Sequence, residues 1–429
     1  MVVGKACQMD QQVLLEVSRK FGTPCYVYFW DHVVGRVESL RSAFGESIRV
    51  SYAVKANPNR ALLRRLRDRV DHLDISSGGE FLVASEAGHD AASFTFVGPA
   101  KADWELHLAA QRGCGCFVVE SDEELSRLNC LGSRVQKVLP VAVRVNPAHL
   151  PKGYGVSMAM RATQFGIDEE CLDPVLERLA GLEHIRLEGF HVYAGTQCLN
   201  NDSIAENLEN CARIFLETSR RHDTYPRRLI FGTGFGIPYH DRDRPISLQS
   251  IAARTKPVFD RLRQDSHTGD AEISFELGRY LVGEAGFYLV TVLAKKSTRG
   301  REILLLDGGM NHHLAASGNL GGVIKRNYPV RRITPGADGA ETKRYDLAGN
   351  LCTNVDTLGR DVELSPCDRG DVLAFGGSGA YGLTASPVHF ISHRPPKEIA
   401  VAGCNGKAVF TDVTADGTLA APPAWPDGV

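Results

Sequence analysis

No apolar run in this chain approaches the ~20 residues that a membrane-spanning helix requires. The first residues also lack a basic start, an apolar stretch and a small-residue cleavage site, so a cytoplasmic location is expected. An excess of one charge is missing too. Lys and Arg number 49 against 51 Asp and Glu, and the formal net charge of −2 argues against a nucleic-acid partner. Cysteine is present but unpatterned: eleven residues, the closest pair being Cys114 and Cys116, with no Cys-x-x-Cys and no histidine at ligand spacing. Reduced thiols and no bound metal are expected. The neighbours His312 and His313 do not change this, because adjacent residues on a strand point to opposite faces and no carboxylate is spaced to complete a site.

What is present is a 429-residue chain, 43% hydrophobic and 23% charged, enough for a barrel-sized unit and a second domain. Between about residues 30 and 280, β-branched runs alternate with helical patterns. The strand candidates are Ile48–Val54, His72–Ile75, Phe94–Val97, Gly115–Val119, Val141–Val145, Leu187–Val192, Arg228–Phe231 and Glu272–Phe275, with helices such as Arg60–Arg69 and Gly79–Ala87 between them. About eight βα units predict an α/β fold of the (β/α)8 TIM-like barrel type, with a doubly wound open sheet as the alternative. After residue 280 the segments Gly286–Ala294, Arg301–Leu306, Tyr345–Ala348, Asp371–Phe375 and Val388–Ile391 read as strands without intervening helices. They predict a C-terminal all-β domain, barrel or sandwich, over 281–429. The early strand in Pro24-Cys25-Tyr26-Val27-Tyr28 predicts that residues 1–29 complete it. Pro335–Gly339 and the tail from Ala420 read as loops or frayed ends.

The chemistry concentrates at predicted strand ends. Lys55 closes a β-type run and is stopped by Asn57-Pro58, so its amine is fixed at the rim where an α/β barrel assembles its site. Partial desolvation there favours the neutral, nucleophilic amine and points to Schiff-base chemistry. Gly232-Thr233-Gly234-Phe235-Gly236 follows another strand and forms a turn whose amides can converge on phosphate. His191 in Phe190-His191-Val192-Tyr193-Ala194-Gly195-Thr196-Gln197 and Glu276 in Glu276-Leu277-Gly278-Arg279-Tyr280 end two more strands. Taken singly, each has an ordinary structural reading: a surface lysine, a chain reversal, a core histidine, a Glu276–Arg279 ion pair. Four of them on one rim point to a site.

These residues, with Tyr26-Val27-Tyr28, Asp307-Gly308-Gly309 and Gly379-Ala380-Tyr381, resemble the fold type III, alanine-racemase-like pyridoxal phosphate enzymes. The resemblance is greatest to the decarboxylase branch that contains diaminopimelate, arginine and ornithine decarboxylases, and it spans about residues 20–400. It implies that Lys55 holds pyridoxal 5′-phosphate covalently, that His191 lies over the pyridine ring, and that Gly234, Gly236, Thr196 and Tyr381 bind the phosphate, with Arg279 adding charge. Glu276 would face the pyridine nitrogen, where a carboxylate favours the protonated ring and deepens the electron sink. Racemases of this fold place an arginine there. Asp74, Glu80 and Arg144 match positions that orient the ring's surroundings. Leu351-Cys352-Thr353-Asn354-Val355-Asp356 resembles the family segment that enters the partner subunit's site, which implies a homodimer with shared sites. Cys352 would protonate the carbanion, since a thiol can give up a proton at ordinary working pH. Thr353, Asp356 and Tyr381 would touch substrate.

Two departures bear on the substrate. Basic amino acid decarboxylases carry an acid directly after the cysteine, where this chain has Thr353. The family's usual His-Val-Gly-Ser-Gln is lengthened by two residues in His191–Gln197. Both features resemble the branch that decarboxylates a glutamyl group on an acyl carrier protein in antibiotic biosynthesis. The expected substrate is therefore an α-amino acid moiety whose distal group is neutralised or extended. Free diaminopimelate, lysine or ornithine, or a siderophore precursor, is the alternative, and a non-catalytic regulatory homologue is a further one. For a carrier-protein interface, Arg36, Arg41, Lys152, Arg161, Lys325 and Arg326 are available.

Overall fold

The computed structural model describes residues 3–157, 162–240, 242–320, 326–336, 341–404 and 407–414. Arg161, Lys325, part of Pro335–Gly339 and the tail lie outside them. Two compact units emerge. One comprises Val34–Ile237 and Arg244–Tyr280, and the other comprises the residues up to Val33, Pro238–Asp243 and the described residues from Leu281 to Thr414.

The first unit is a closed parallel barrel. Its strands are β1 (Ile48–Ala53), β2 (His72–Ile75), β3 (Phe94–Phe96), β4 (Cys116–Val119), β5 (Leu139–Asn146), β6 (Ile185–Tyr193), β7 (Arg228–Gly232) and β8 (Glu272–Leu277). Each pairs with the next in parallel, and β8 returns to β1 in the register Glu276↔Ser51. The β4–β5 pairing, Phe117↔Val141, completes the ring and rules out the open doubly wound sheet. These strands read as near-continuous apolar runs because both faces are covered: β4 is buried at all four positions and Leu139–Asn146 at seven of eight. Helix starts are fixed by side chains that occupy otherwise unpaired amides. Ser77 accepts from Glu80 N and Ser121 from Glu124 N, each at a β-to-helix junction.

The second unit is built on a nine-stranded sheet. Cys25–Phe29 sits inside it, antiparallel to Gly286–Thr298 and parallel to Lys397–Cys404. Its five residues are all buried, and Cys25, Val27 and Phe29 share a core with Leu289, Ile399 and Val401. The proposed strand Val388–Ile391 is not one. Phe390–Ser392 forms a 3-10 turn in which Ile391 and Ser392 take positive φ, so a β-branched run is overridden by turn geometry. His312 and His313 are likewise on a turn rather than a strand, their amides both donating to Gly309 O. Among the described residues no cluster of three or more His, Cys, Asp or Glu is placed to hold a metal, and no helix is long and apolar enough to cross a membrane.

Candidate active site

Lys55 occupies the single 3-10 turn Val54–Ala56 that follows β1. Its Nζ donates to Asp74 Oδ2 at 2.6 Å and lies 3.4 Å from Ser76 Oγ, both from the end of β2. The Lys55 side chain is 39% exposed whereas that of Asp74 is 2% exposed, so the amine faces an opening and its counter-ion is interior. Burial raises the Asp74 pKa, with Lys55 pulling against it. Glu80 reaches back from the next helix to accept the Ser76 amide at 2.7 Å. Burial pushes its carboxyl up to about 7, against the Ser76 bond and the charge of Lys55.

Opposite this group, His191 Nε2 meets Glu276 Oε2 at 2.8 Å, with both side chains buried. Burial works to raise the Glu276 pKa, but His191, Lys55 and Arg144 outweigh it and hold the carboxyl below its ordinary value. The pairing of the two side chains was not part of the expected ring-facing role of His191. Three buried polar atoms here have no hydrogen-bond partner among the described residues: Glu276 Oε1, His191 Nδ1 and Asp74 Oδ1. Buried polar atoms are ordinarily satisfied. Three orphans around one lysine fit a planar polar group with a ring N–H, and Glu276 Oε1 is the anionic acceptor that such a nitrogen requires.

Arg144, near the end of β5, is held by a residue that sequence reasoning missed. Glu120, just past β4, receives Arg144 Nη1 at 3.1 and 3.0 Å on its two oxygens, together with the amides of Gly98 and Gly166. The guanidinium also lies 4.6 Å from the centre of the Phe165 ring. Behind it, Glu124 accepts the Glu120 amide and pairs at 2.6 Å with Lys101, whose ammonium also donates to Gly98 O and Val118 O. The signal that could have revealed Glu120 is its place at a strand end on the same rim.

The glycine turn is stitched to the segment that carries Thr196. Cys198 N donates to Gly234 O, and Gly236 N donates to Cys198 O. Gly236 therefore supplies no amide to a phosphate, contrary to expectation, and its contribution is clearance: a Cβ would lie 2.8 Å from Cys198 O. Gly234 has φ +65, and a Cβ on it would lie 2.5 Å from Gly195 O. Gln197, itself at positive φ, clamps Ile237 through both amide atoms at 2.6 and 3.2 Å. A backbone cradle that only glycine permits is suited to a phosphate. Tyr154 lies beside it, with a buried hydroxyl that has no partner among the described residues. Arg279 opens the short helix Arg279–Val282 directly after β8.

Cys352, Thr353, Asp356 and Tyr381 belong to the other unit. Cys352 is exposed on the loop Leu351–Asp356. Both oxygens of Asp356 are engaged, by Met310 N at 2.7 Å and Leu351 N at 2.9 Å, and the side chain is buried. That placement fits a loop brace rather than the substrate contact expected of Asp356. Tyr381 takes φ +53, a strained conformation for a bulky residue of the kind found at functional sites. Of the basic residues available for an interface, Arg41 is engaged by Glu46 and Asp71, and Arg36 covers the Tyr280 ring at 4.8 Å.

Residues 30–283 match the family described as pyridoxal-dependent decarboxylase, pyridoxal binding domain. The L-glutamyl-[BtrI acyl-carrier protein] decarboxylase of Niallia circulans is 34% identical over 416 residues, 96% of each chain. A diaminopimelate decarboxylase of Aquifex aeolicus is 31% identical over 376 residues, 87% of this chain and 85% of that one. The crystal structure of diaminopimelate decarboxylase from M. jannaschii in complex with L-lysine superposes with a TM-score of 0.83, covering 96% of this chain and 93% of that one at 23% identity. At that identity the likeness speaks for the fold.

Proposed function

The chain belongs to the pyridoxal-dependent decarboxylases, and from that premise we propose that it removes the α-carboxylate of an amino acid held through its side chain on a carrier protein, in specialised-metabolite biosynthesis. It is a carboxy-lyase that uses pyridoxal phosphate. When bound, that cofactor supplies the electron sink for the pair left as carbon dioxide departs. The roles assigned to this chain's residues follow from their placement. Lys55 is the anchoring amine, set by Asp74 and Ser76. Glu276 Oε1 takes the ring N–H, and His191 fixes the other oxygen of the same carboxylate. Arg144, braced by Glu120, adds positive charge felt at Glu276. Thr196, Gly234 and Arg279 receive the phosphate. Cys352 Sγ delivers a proton to the carbon that has lost its carboxylate, and Thr353 borders the substrate. The enzyme acts in the cytoplasm.

One observation carries the substrate reading. The Cys352 loop offers no free acid for a distal ammonium, because Thr353 follows the cysteine and both oxygens of Asp356 are held by backbone amides. A side chain capped as an amide or thioester needs no such acid. This agrees with the carrier-bound substrate named for the Niallia circulans relative. Carbon dioxide release from glutamyl-carrier protein, compared with free lysine, ornithine, diaminopimelate and glutamate, tests it. Release from the tethered substrate alone is expected, and release from a free diamino acid would replace this reading with that of the Aquifex aeolicus relative. Lys55→Ala abolishes cofactor absorbance and serves as the blank.

The active form is proposed to be a homodimer in which Cys352, exposed on its own subunit, completes the partner's site. Mixing Lys55→Ala with Cys352→Ala subunits then restores partial activity. Two inactive variants that stay inactive together would count against sharing.

A further inference from the structure

Beside the Cys352 loop lies a pocket of about 240 Å³, lined by Ala316, Ser317, Arg326, Asn327, Asn354, Val355 and the start of the strand Thr357–Leu364, including Arg360. Two of its walls, Asn354 and Val355, follow Cys352 by two and three residues. The lining carries two guanidiniums and no carboxylate. Asn327 ties the two basic segments together, its Nδ2 donating to Arg360 O at 2.7 Å and its Oδ1 accepting Arg360 N at 3.0 Å. The arginines therefore project from chain segments tied together by the Asn327 side chain on the Arg360 backbone. Neither is ion-paired among the described residues. Asp346, an acid that feels the charge of Arg360, already has both oxygens on Arg301 at 2.6 Å.

We propose that this pocket is an anion site that takes the phosphate of the substrate's tether. The proposal rests on the carrier-bound reading above. Carrier proteins present their acyl groups on a phosphopantetheine arm, whose phosphate is separated from the reacting carbon by the length of that arm, and this pocket adjoins the loop that bears Cys352 through Asn354 and Val355. Two planar guanidiniums match the oxygens of a phosphate. A volume of about 240 Å³ exceeds the ~30 Å³ share of one water several-fold, so a phosphate and part of its ester chain fit. Both arginines are exposed, so solvent moderates the attraction and the effect belongs in KM.

The test compares the γ-glutamyl thioesters of 4′-phosphopantetheine and of pantetheine as substrates for the wild-type holoenzyme and for Arg326→Ala/Arg360→Ala. The wild type is expected to show a KM about tenfold lower for the phosphorylated compound. The double variant loses that preference and keeps its kcat on the unphosphorylated compound. Arg326→Lys/Arg360→Lys, which retains the charge, recovers part of the preference. Equal KM values for the two compounds in the wild type would overturn the anion site while leaving the carrier-bound reading standing. If neither thioester is decarboxylated, that reading fails, and calorimetry with free 4′-phosphopantetheine decides the pocket by itself. Binding that disappears in the double Ala variant supports it, and absent or unchanged binding overturns it.

Discussion

Glu80 sits third in the helix Gly78–Glu86 with its carboxylate turned back onto Ser76, in a position that protonation decides. Burial lifts its pKa from 4.5 to about 7, more than the Ser76 bond and Lys55 pull it down. A raised folded-state value means that the folded chain holds the proton more tightly than the unfolded one. This contribution to stability is therefore full below pH 4.5 and is lost as pH rises through about 7. The difference corresponds to a cost on the order of 3 kcal/mol above pH 7 in the cofactor-free protein. Glu80→Gln keeps an acceptor for Ser76 and removes the titration. Urea unfolding of the cofactor-free protein should show the variant gaining on wild type by up to that amount between pH 5 and 8. Parallel pH profiles would contradict the account. At this scale the residues on strand ends were legible, since Lys55, His191 and Glu276 lie at the ends of β-type runs that locate them on one rim, whereas Asp74 was indicated only by the family resemblance. The His191–Glu276 hydrogen bond and the Lys101–Glu124–Glu120–Arg144 chain were not, because partners separated by up to 85 residues leave no local pattern.

The segment Gly195–Cys198 and the turn after β7 act as one element. The antiparallel pair Gly195↔Ser157, the parallel bridge Cys198↔Phe235 and the Gln197 clamp on Ile237 hold the lengthened rim segment against the glycine turn. Gly236→Ala places a methyl 2.8 Å from Cys198 O and 3.0 Å from the Gln197 carbonyl carbon, so the two strips must part. Cofactor affinity, read from an absorbance titration, should fall at least about tenfold, a change of ~1.4 kcal/mol. Far-ultraviolet circular dichroism should be retained. Gly181→Ala, where the methyl would lie an ordinary 3.5 Å from Arg178 O, is the control and leaves affinity unchanged. A loss shared by both variants would separate the effect from this stitching. The turn itself was readable as Gly-Thr-Gly-Phe-Gly, but its use of Gly236 for clearance depends on a strip 38 residues upstream, at Cys198. Strand reading missed Val330–Arg332, Thr357–Leu364, Lys397–Cys404 and Lys407–Asp412: Lys407–Asp412 has no buried position and Val330–Arg332 has only three residues, but Lys397–Cys404 carries the buried Ile399 and Val401, so exposure does not account for every omission.

At the scale of the molecule, the alternating first two-thirds and β-rich last third made the barrel and the sheet legible. The assignment of Pro238–Asp243 to the β-rich unit was not, because it comes from contacts distant in sequence: Tyr239 packs against Tyr328 with ring centres 4.7 Å apart, and it crowds Gly377. Burial also places in the two units titrating groups whose contributions change with acid in opposite directions. In the β-rich unit, burial keeps His313 and His312 neutral, with values depressed from 6.5 to about 3 and about 4. His313 bonds Ser378 Oγ through Nε2 and accepts the Ala316 amide at Nδ1, while Tyr26 donates to His312 O. A depressed histidine contributes stability above pH 6.5 that is lost as pH falls through the folded value, because the unfolded chain takes up the proton first. At pH 5 the loss is on the order of 2 kcal/mol for each histidine. Over the same interval Glu80 gains protons in the folded barrel and stabilises it. Hydrogen exchange between pH 7 and 5, corrected for intrinsic rates, should therefore show protection of the Tyr26 and Tyr288 amides falling while that of barrel amides in β4 holds or rises. In His313→Gln, which keeps an acceptor or donor toward Ser378, the acid slope at Tyr288 should flatten whatever the level of protection. A slope unchanged from wild type would place the acid sensitivity elsewhere than in the buried histidines.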